Sequence, residues 1–221
     1  MIVAIASGKG GTGKTSVSVN LAKVFDGAIQ LLDCDVEEPN VHLFLPGTPV
    51  GEEEVTIAIP DIDAGMCDAC DKCVDFCQFN ALASVGKTPL LFPELCHACG
   101  GCMLVCPRDA IREKDHRIGV IKTSQAGAIT LKSGCLDVGV SSASTLVHAV
   151  KERLDSDITT IIDSPPGTAC QAVAALRGAD FVVLVTEPTP FGLHDLRLAV
   201  DTVRELRLPF GVVINRVGIG D

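Results

Sequence analysis

Short apolar runs closed by glycine or aspartate alternate along most of the chain with stretches of helical periodicity. This is the rhythm of a mostly parallel sheet with helices on both faces. The apolar runs predict strands at 2–6, 28–33, 158–163, 180–186 and 210–214, and the stretches Ile158 to Ile162 and Phe181 to Val185 read as buried. Helical spacing predicts helices near 14–25, 142–154, 168–177 and 192–207. The third begins around Thr168, and the Pro190-Phe191-Gly192 turn announces the fourth. Between about 60 and 117 the rhythm stops. The chain therefore divides into a discontinuous α/β domain, 1–59 with 118–221, and an insert at 60–117 that opens on Pro60-Asp61-Ile62-Asp63. The glycine-rich stretch from Gly119 to Gly139 predicts one or two strands leading back into the sheet.

With 221 residues and 47 % hydrophobic content, one sizeable core is within reach, plus an insert too small to bury much surface alone. The insert must draw stability from bound metal, so metal loss is expected to unfold it and spare the rest. Eleven cysteines would signal disulfides in a small secreted protein. The start, Met1-Ile2-Val3-Ala4-Ile5-Ala6, runs directly into a glycine loop and has no signal-peptide character, which predicts a reducing, cytoplasmic setting. No stretch of about 18 uncharged apolar residues is present, so no membrane span is expected. A net charge of −10 argues against a nucleic-acid footprint and suits a plain acidic, soluble surface.

The insert consists of one cysteine pattern written twice: Cys67-x2-Cys70-x2-Cys73-x3-Cys77, then Cys96-x2-Cys99-x2-Cys102-x3-Cys106-Pro107, offset by 29 residues. The tails repeat as well, from Cys77 to Leu82 and from Cys106 to Ile111. Zinc sites favour separated C-x2-C pairs, so iron–sulfur is the stronger reading and zinc the weaker. Gln78 stands where the second copy has Pro107, which removes a turn constraint and leaves the cysteines intact.

The strand 2–6 delivers Ser7-Gly8-Lys9-Gly10-Gly11-Thr12-Gly13-Lys14-Thr15, a full G-x4-G-K-[ST] phosphate loop opening a helix. Backbone N–H groups from Gly8, Gly10, Gly11, Thr12 and Gly13 and the helix dipole suit phosphate. Lys14 suits the outer phosphates of ATP or ADP, and Thr15 suits magnesium. A carboxylate at a strand end beside such a loop, here Asp163, suits magnesium held through water. Lys9 inside the loop can point away from its own phosphate cradle, or be a solvated loop lysine.

These motifs carry two resemblances. The cysteine run resembles that of bacterial two-cluster ferredoxins, in which three close thiolates hold one cubane and the remote fourth reaches the other. The implied sets are Cys67, Cys70, Cys73 and Cys106 for the first [4Fe–4S] cluster, and Cys77, Cys96, Cys99 and Cys102 for the second. Lys9 to Thr15 resembles the deviant phosphate loop of the MinD/ParA, Mrp and nitrogenase iron protein superfamily, which is related to the CobQ/CobB/MinD/ParA nucleotide-binding domain. There the first lysine crosses a homodimer interface to the partner's nucleotide, a role implied for Lys9. Ile29 to Asp35 with Val36-Glu37-Glu38-Pro39-Asn40 resembles the first switch. Asp35 would then position the attacking water, and Asp33 would support the magnesium shell. Ile161-Ile162-Asp163-Ser164-Pro165-Pro166-Gly167-Thr168 resembles the Walker B strand and second switch. Asn215-Arg216 is similar to the adenine-reading pair, although a plain strand-end polar pair reads nearly as well. The whole arrangement most closely resembles MinD-superfamily ATPases carrying an inserted ferredoxin domain: an α/β P-loop sheet interrupted by an α+β ferredoxin. Such proteins continue beyond the position of Asp221 through another strand and helices, which implies a C-terminally shortened base pocket.

Outside the repeat, Cys170 reads as a buried structural thiol in preference to a ligand bridging a dimer, and Cys34 and Cys135 read as packing residues. His97 reads as a solvated loop histidine, with tuning of a cluster as the alternative. The leading functional expectation is an ATPase whose nucleotide state controls electron transfer through two clusters to an unidentified redox or iron–sulfur acceptor protein. Second comes an iron–sulfur carrier or scaffold, and third a positioning ATPase, disfavoured by acidity and by the lack of an amphipathic terminal helix. A cobyrinic acid diamide synthase would need an amidotransferase domain for which the length leaves no room.

Overall fold

The computed structural model describes residues 1–218. In chain order the elements are β1 (Ile2–Ala6), α1 (Lys14–Val24), β2 (Ile29–Asp33), α2 (Val41–Phe44), β3 (Thr48–Ile62), α3 (Lys72–Phe76), β4 (Leu82–Ala83), β5 (Leu90–Leu91), α4 (Gly101–Val105), β6 (Ile111–Ala126) and β7 (Ile129–Leu136). They continue with α5 (Ala143–Glu152), β8 (Thr159–Asp163), α6 (Cys170–Leu176), β9 (Phe181–Thr186), α7 (Pro190–Glu205) and β10 (Phe210–Ile214). All five predicted strands and all four predicted helices are present. The last helix starts at Pro190 itself, because Thr189 accepts a hydrogen bond from the Gly192 N–H and caps it. The predicted return to the sheet after Gly119 is β6 and β7, joined by a turn through Gly127 at φ 61°.

The chain divides into two compact units. The first comprises Met1–Glu53, Val120–Leu136 and Ala143 onward. Its sheet runs β10-β9-β1-β8-β2-β7-β6-β3, with parallel pairing at every step from β10 to β7. Strands β1, β2 and β8 are covered on both faces, as their nearly unbroken apolar sequences require. Ile5, Val19, Ala22, Leu31, Leu131 and Ile161 form the core between α1 and the sheet.

The second unit comprises Glu54–Gly119 with Asp137–Ser142, and so reaches beyond the 60–117 interval on both sides. The reason is that β3 and β6 are continuous strands, and the division falls inside each strand instead of at a loop. Within this unit the sequence duplication is also a backbone duplication. Helices α3 and α4 occupy equivalent places 29 residues apart. Left-handed residues recur as Ala69 and Ala98, Asp71 and Gly100, Asn80 and Asp109. The backbone bond from Asp63 N–H to the Ala110 carbonyl has its counterpart in Phe92 N–H to Ala81, both 2.8 Å.

Candidate functional site

The phosphate loop sits at the carboxyl ends of the central strands, where β1 lies between β9 and β8. This is the crevice in which open α/β sheets bind ligands. Register sets the carboxylates side by side: Asp163 pairs with Ile5 on one side and with Asp33 on the other. Both are buried, and burial pushes both up, Asp33 to about 8 with the Asp163 charge adding to the effect. Asp33 accepts N–H bonds from Val41 at 3.1 Å and Asp35 at 3.3 Å. Asp163 accepts from Thr15 Oγ1 at 2.7 Å and from Ser18 Oγ at 2.9 Å. Ser18 was not among the sequence candidates. Its signal was helical spacing, since positions three apart on α1 share the face turned to Asp163.

Lys14 is buried, and loss of solvent pulls its ammonium below the usual lysine range against the Asp163 and Asp35 charges. Asp35 is half-buried and raised to about 6, chiefly by desolvation, with Lys14 opposing. Lys14 makes no ion pair among the described residues and faces carboxylates whose burial favours protons, a charge arrangement suited to phosphate and a divalent cation. The buried Thr12 Oγ1 has no hydrogen-bond partner among the described residues. Gly10 and Gly11 are exposed, leaving their N–H groups open to a ligand. The residues present therefore fit a nucleotide phosphate chain with magnesium.

Two loop glycines are dictated by their neighbours. A Cβ on Gly8 would lie 2.0 Å from the Asp195 carbonyl oxygen, and Gly13, at φ 97°, faces Asn215 Nδ2. Asn215 donates to the Thr12 carbonyl at 2.8 Å, and its Oδ1 accepts the Arg216 N–H at 2.9 Å. The residue that resembles a base reader thus braces the loop. Within the single chain, Lys9 pairs with Glu187, which also holds Arg216 Nη1 at 3.2 Å. Lys9 first, then Arg216, hold Glu187 below the usual carboxylate range. Glu187 follows β9 and carried no motif.

One expectation is corrected. Cys170 is exposed, not a buried packing thiol, because it lies in the first turn of α6 where the chain leaves the second switch. Cys34 is fully buried and Cys135 half-buried.

In the second unit, Cys67, Cys70, Cys73 and Cys106 line one cavity, with Asp68, Asp71 and Arg108. Cys77, Cys96, Cys99 and Cys102 line another, among Phe76, Phe79, His97 and Met103. Equivalent N–H groups reach equivalent sulfurs: Ala81 to Cys77 and Ala110 to Cys106, each 3.4 Å. Among the described residues, no three Cys, His, Asp or Glu side chains converge on a point where a single ion would sit. Each cavity is thus lined by four thiols, with an N–H donor to one sulfur of each quartet, a soft-sulfur set of the kind that takes iron–sulfur clusters or zinc. His97 is exposed and stacks on Phe79, ring centroids 3.9 Å apart.

Comparison with known proteins decides the family. The model of the CobQ/CobB/MinD/ParA nucleotide-binding domain matches residues 3–221. This chain belongs to that family. It is a P-loop ATPase of the MinD/ParA kind. An uncharacterized protein of Methanocaldococcus jannaschii is 35 % identical over 100 % of this chain and 82 % of its own length. The iron-sulfur cluster carrier protein of Pyrococcus abyssi is 25 % identical over 97 % of this chain and 61 % of its own length. Among solved structures, the septum site-determining protein MinD of Pyrococcus horikoshii, complexed with Mg-ADP, aligns over 100 % of this chain and 72 % of that one. The TM-score is 0.57 at 20 % identity, a likeness of fold. No helix among the described residues is long and apolar enough to cross a membrane.

Proposed function

We propose that this ATPase couples its nucleotide state to electron transfer through two [4Fe–4S] clusters held by an inserted ferredoxin domain. The observation that carries the reading is the sorting of eight cysteines into two quartets around two cavities, each quartet taking three cysteines from one repeat and the fourth from the other. The first cluster falls to Cys67, Cys70, Cys73 and Cys106, the second to Cys77, Cys96, Cys99 and Cys102. Bound clusters would supply one-electron transfer. Gly8 to Thr15 bind the phosphates of ATP, Thr15, Asp33 and Asp163 hold magnesium, and Asp35 orients the attacking water. Asn215 and Arg216 support the loop and the base side. Lys9 leaves Glu187 and reaches the nucleotide of a second copy, which makes the active form a nucleotide-dependent homodimer. Switch loops held by the γ-phosphate give the two states that electron transfer requires.

A cluster carrier is the second reading, favoured by the relatives named as iron-sulfur cluster carrier proteins. Eight cysteines in two all-thiol cages favour retention over delivery. The test is anoxic reconstitution, EPR of the reduced protein with and without MgATP, and incubation with an apo-acceptor and with a redox dye. Clusters that stay and cycle at an ATP-dependent rate support the coupled electron carrier, whereas clusters that move to the acceptor replace it with the carrier. A colourless zinc protein, or one that takes up neither ATP nor ADP, ends both.

A further inference from the structure

Glu187 lies outside every motif, yet it holds two cations beside the phosphate loop. It follows β9 directly, and its side chain is only 14 % exposed. Its Oε1 takes the Lys9 ammonium, and its Oε2 takes Arg216 Nη1 at 3.2 Å. The two cations use different oxygens, so neither displaces the other. The residue is also fixed in place by the start of α7. Its carbonyl accepts the Thr189 N–H at 2.8 Å, the Thr189 hydroxyl reaches its Oε1 at 3.5 Å, and a Cβ on Gly192 would collide with that same carbonyl.

Lys9 is the movable member of this group. Its backbone is held, since its carbonyl accepts the Ser7 hydroxyl at 2.5 Å and the neighbouring Gly8 packs against Asp195. Its ammonium is a point charge on a flexible four-carbon stem, without the two-pronged grip of a guanidinium. The side chain is 30 % exposed, so it can swing out while the loop keeps its shape. When it leaves, Arg216 still faces Glu187. No carboxylate is stranded without a counter-ion, which keeps the cost of release low.

We propose that Glu187 is a positioning residue of the ATPase: it parks Lys9 within the single chain, with Arg216 as its standing counter-ion, and so sets how readily the lysine is released to the nucleotide of a second copy. The proposal rests on the reading of Lys9 as the residue that crosses between copies. Each dimer must then break two Lys9–Glu187 pairs, one in each chain. Glu187 therefore acts against assembly, and on the chemistry only through Lys9. A partly exposed ion pair of this kind amounts to a factor of about 1.4 to 5, so two of them amount to roughly 2- to 25-fold in the monomer–dimer constant.

The test uses the full chain reconstituted anoxically, with magnesium and the slowly hydrolysed analogue ATPγS as the probe and sedimentation velocity to read mass. Wild type should dimerise as protein concentration rises, and Lys9→Ala should dimerise more weakly. Glu187→Gln, which keeps the shape and deletes the charge, should lower the midpoint concentration roughly 2- to 25-fold. With ATP, its turnover per chain should rise in proportion below the midpoint and by less than about twofold above it, a split that general damage to the loop would not produce. Lys9→Ala combined with Glu187→Gln should match Lys9→Ala alone, because the gain comes from freeing the lysine. Glu187→Asp withdraws the carboxylate by one carbon and should move the midpoint the same way by less; it decides the matter should Glu187→Gln fail to bind Mg-ADP. A midpoint unmoved by removal of the Glu187 carboxylate, or moved as far when Lys9 is absent, overturns the inference while the dimer reading stands. Wild type that stays monomeric with ATPγS, or Lys9→Ala that dimerises as wild type does, overturns the reading of Lys9 and the inference with it.

Discussion

A Cβ placed on Gly13 would stand 2.3 Å from Asn215 Nδ2, in a backbone conformation that only glycine adopts cheaply. Gly13→Ala must therefore leave φ 97° or push Asn215 off the Thr12 carbonyl, and either move deforms the phosphate cradle. The left-handed cost alone is about 1–2 kcal/mol, so calorimetry should show Mg-ADP binding weakened about tenfold or more. Lys14→Met acts differently. It removes a cation already disfavoured by burial, so the ligand-free fold should tolerate it, but the upward shift of Tm on adding Mg-ADP should vanish. Retention of that shift would show that Lys14 does not meet phosphate. That Lys14, Thr15 and Asp163 meet in one crevice was legible because a phosphate-loop spacing and an aspartate closing an apolar strand mark the strand ends. Glu187 and Asp195 were not, because each acts on the loop through a tertiary approach from β9 and α7 that no local pattern records.

Strand β3 was invisible to pattern reading for a physical reason. Its first half carries Pro49, Gly51 and three consecutive glutamates, which local propensity assigns to a loop. As the terminal strand in the sheet order it needs only one hydrogen-bonded neighbour, and there proline and charge are tolerated and discourage pairing with other chains. The buried alternation Val55, Ile57, Ile59 was the signal that could have found its second half. The central strands declared themselves because both faces are covered and the sequence must be apolar throughout. Helix α6 illustrates support that sequence does not announce. Lys151, on α5, donates to the carbonyls of Ala174 at 2.8 Å, Ala175 at 3.0 Å and also Arg177, closing the C-terminal end of α6. Lys151→Met keeps the apolar stem and deletes three charge-assisted bonds. Urea unfolding should register a loss of about 1.5–3 kcal/mol; a change within the error of the fit would mean that water replaces the ammonium at those carbonyls.

Over the molecule as a whole, the two units rest on different kinds of support. The first has an extended core of Ile5, Leu31, Leu131, Ile161 and their neighbours, built from strands buried on both faces. Around the cysteines of the second, the buried centre is Cys73, Leu82 and Ile111, with Ile62, Val74, Leu91, Met103 and Val105 packed against it beside Cys77, Cys102 and Cys106. Four of the eight repeat cysteines take part in that small core. On the proposed reading, a unit of this size draws part of its stability from the clusters its cysteines hold. Removing iron should accordingly melt the second unit and leave the first folded. Hydrogen exchange read by mass spectrometry on protein stripped with a chelator should show lost protection through residues 63–111 and retained protection in β1, β2 and β8. Mg-ADP affinity should change by less than about threefold, under 1 kcal/mol. The same pattern should follow from Cys73→Ser combined with Cys102→Ser, which removes the third cysteine of each run without any chelator. If stripping iron instead abolishes protection in both units in one step, or abolishes Mg-ADP binding, then the nucleotide domain depends on the clusters for its fold. Cluster loss would then act as a stability switch on the ATPase, and the two units would be one cooperative structure.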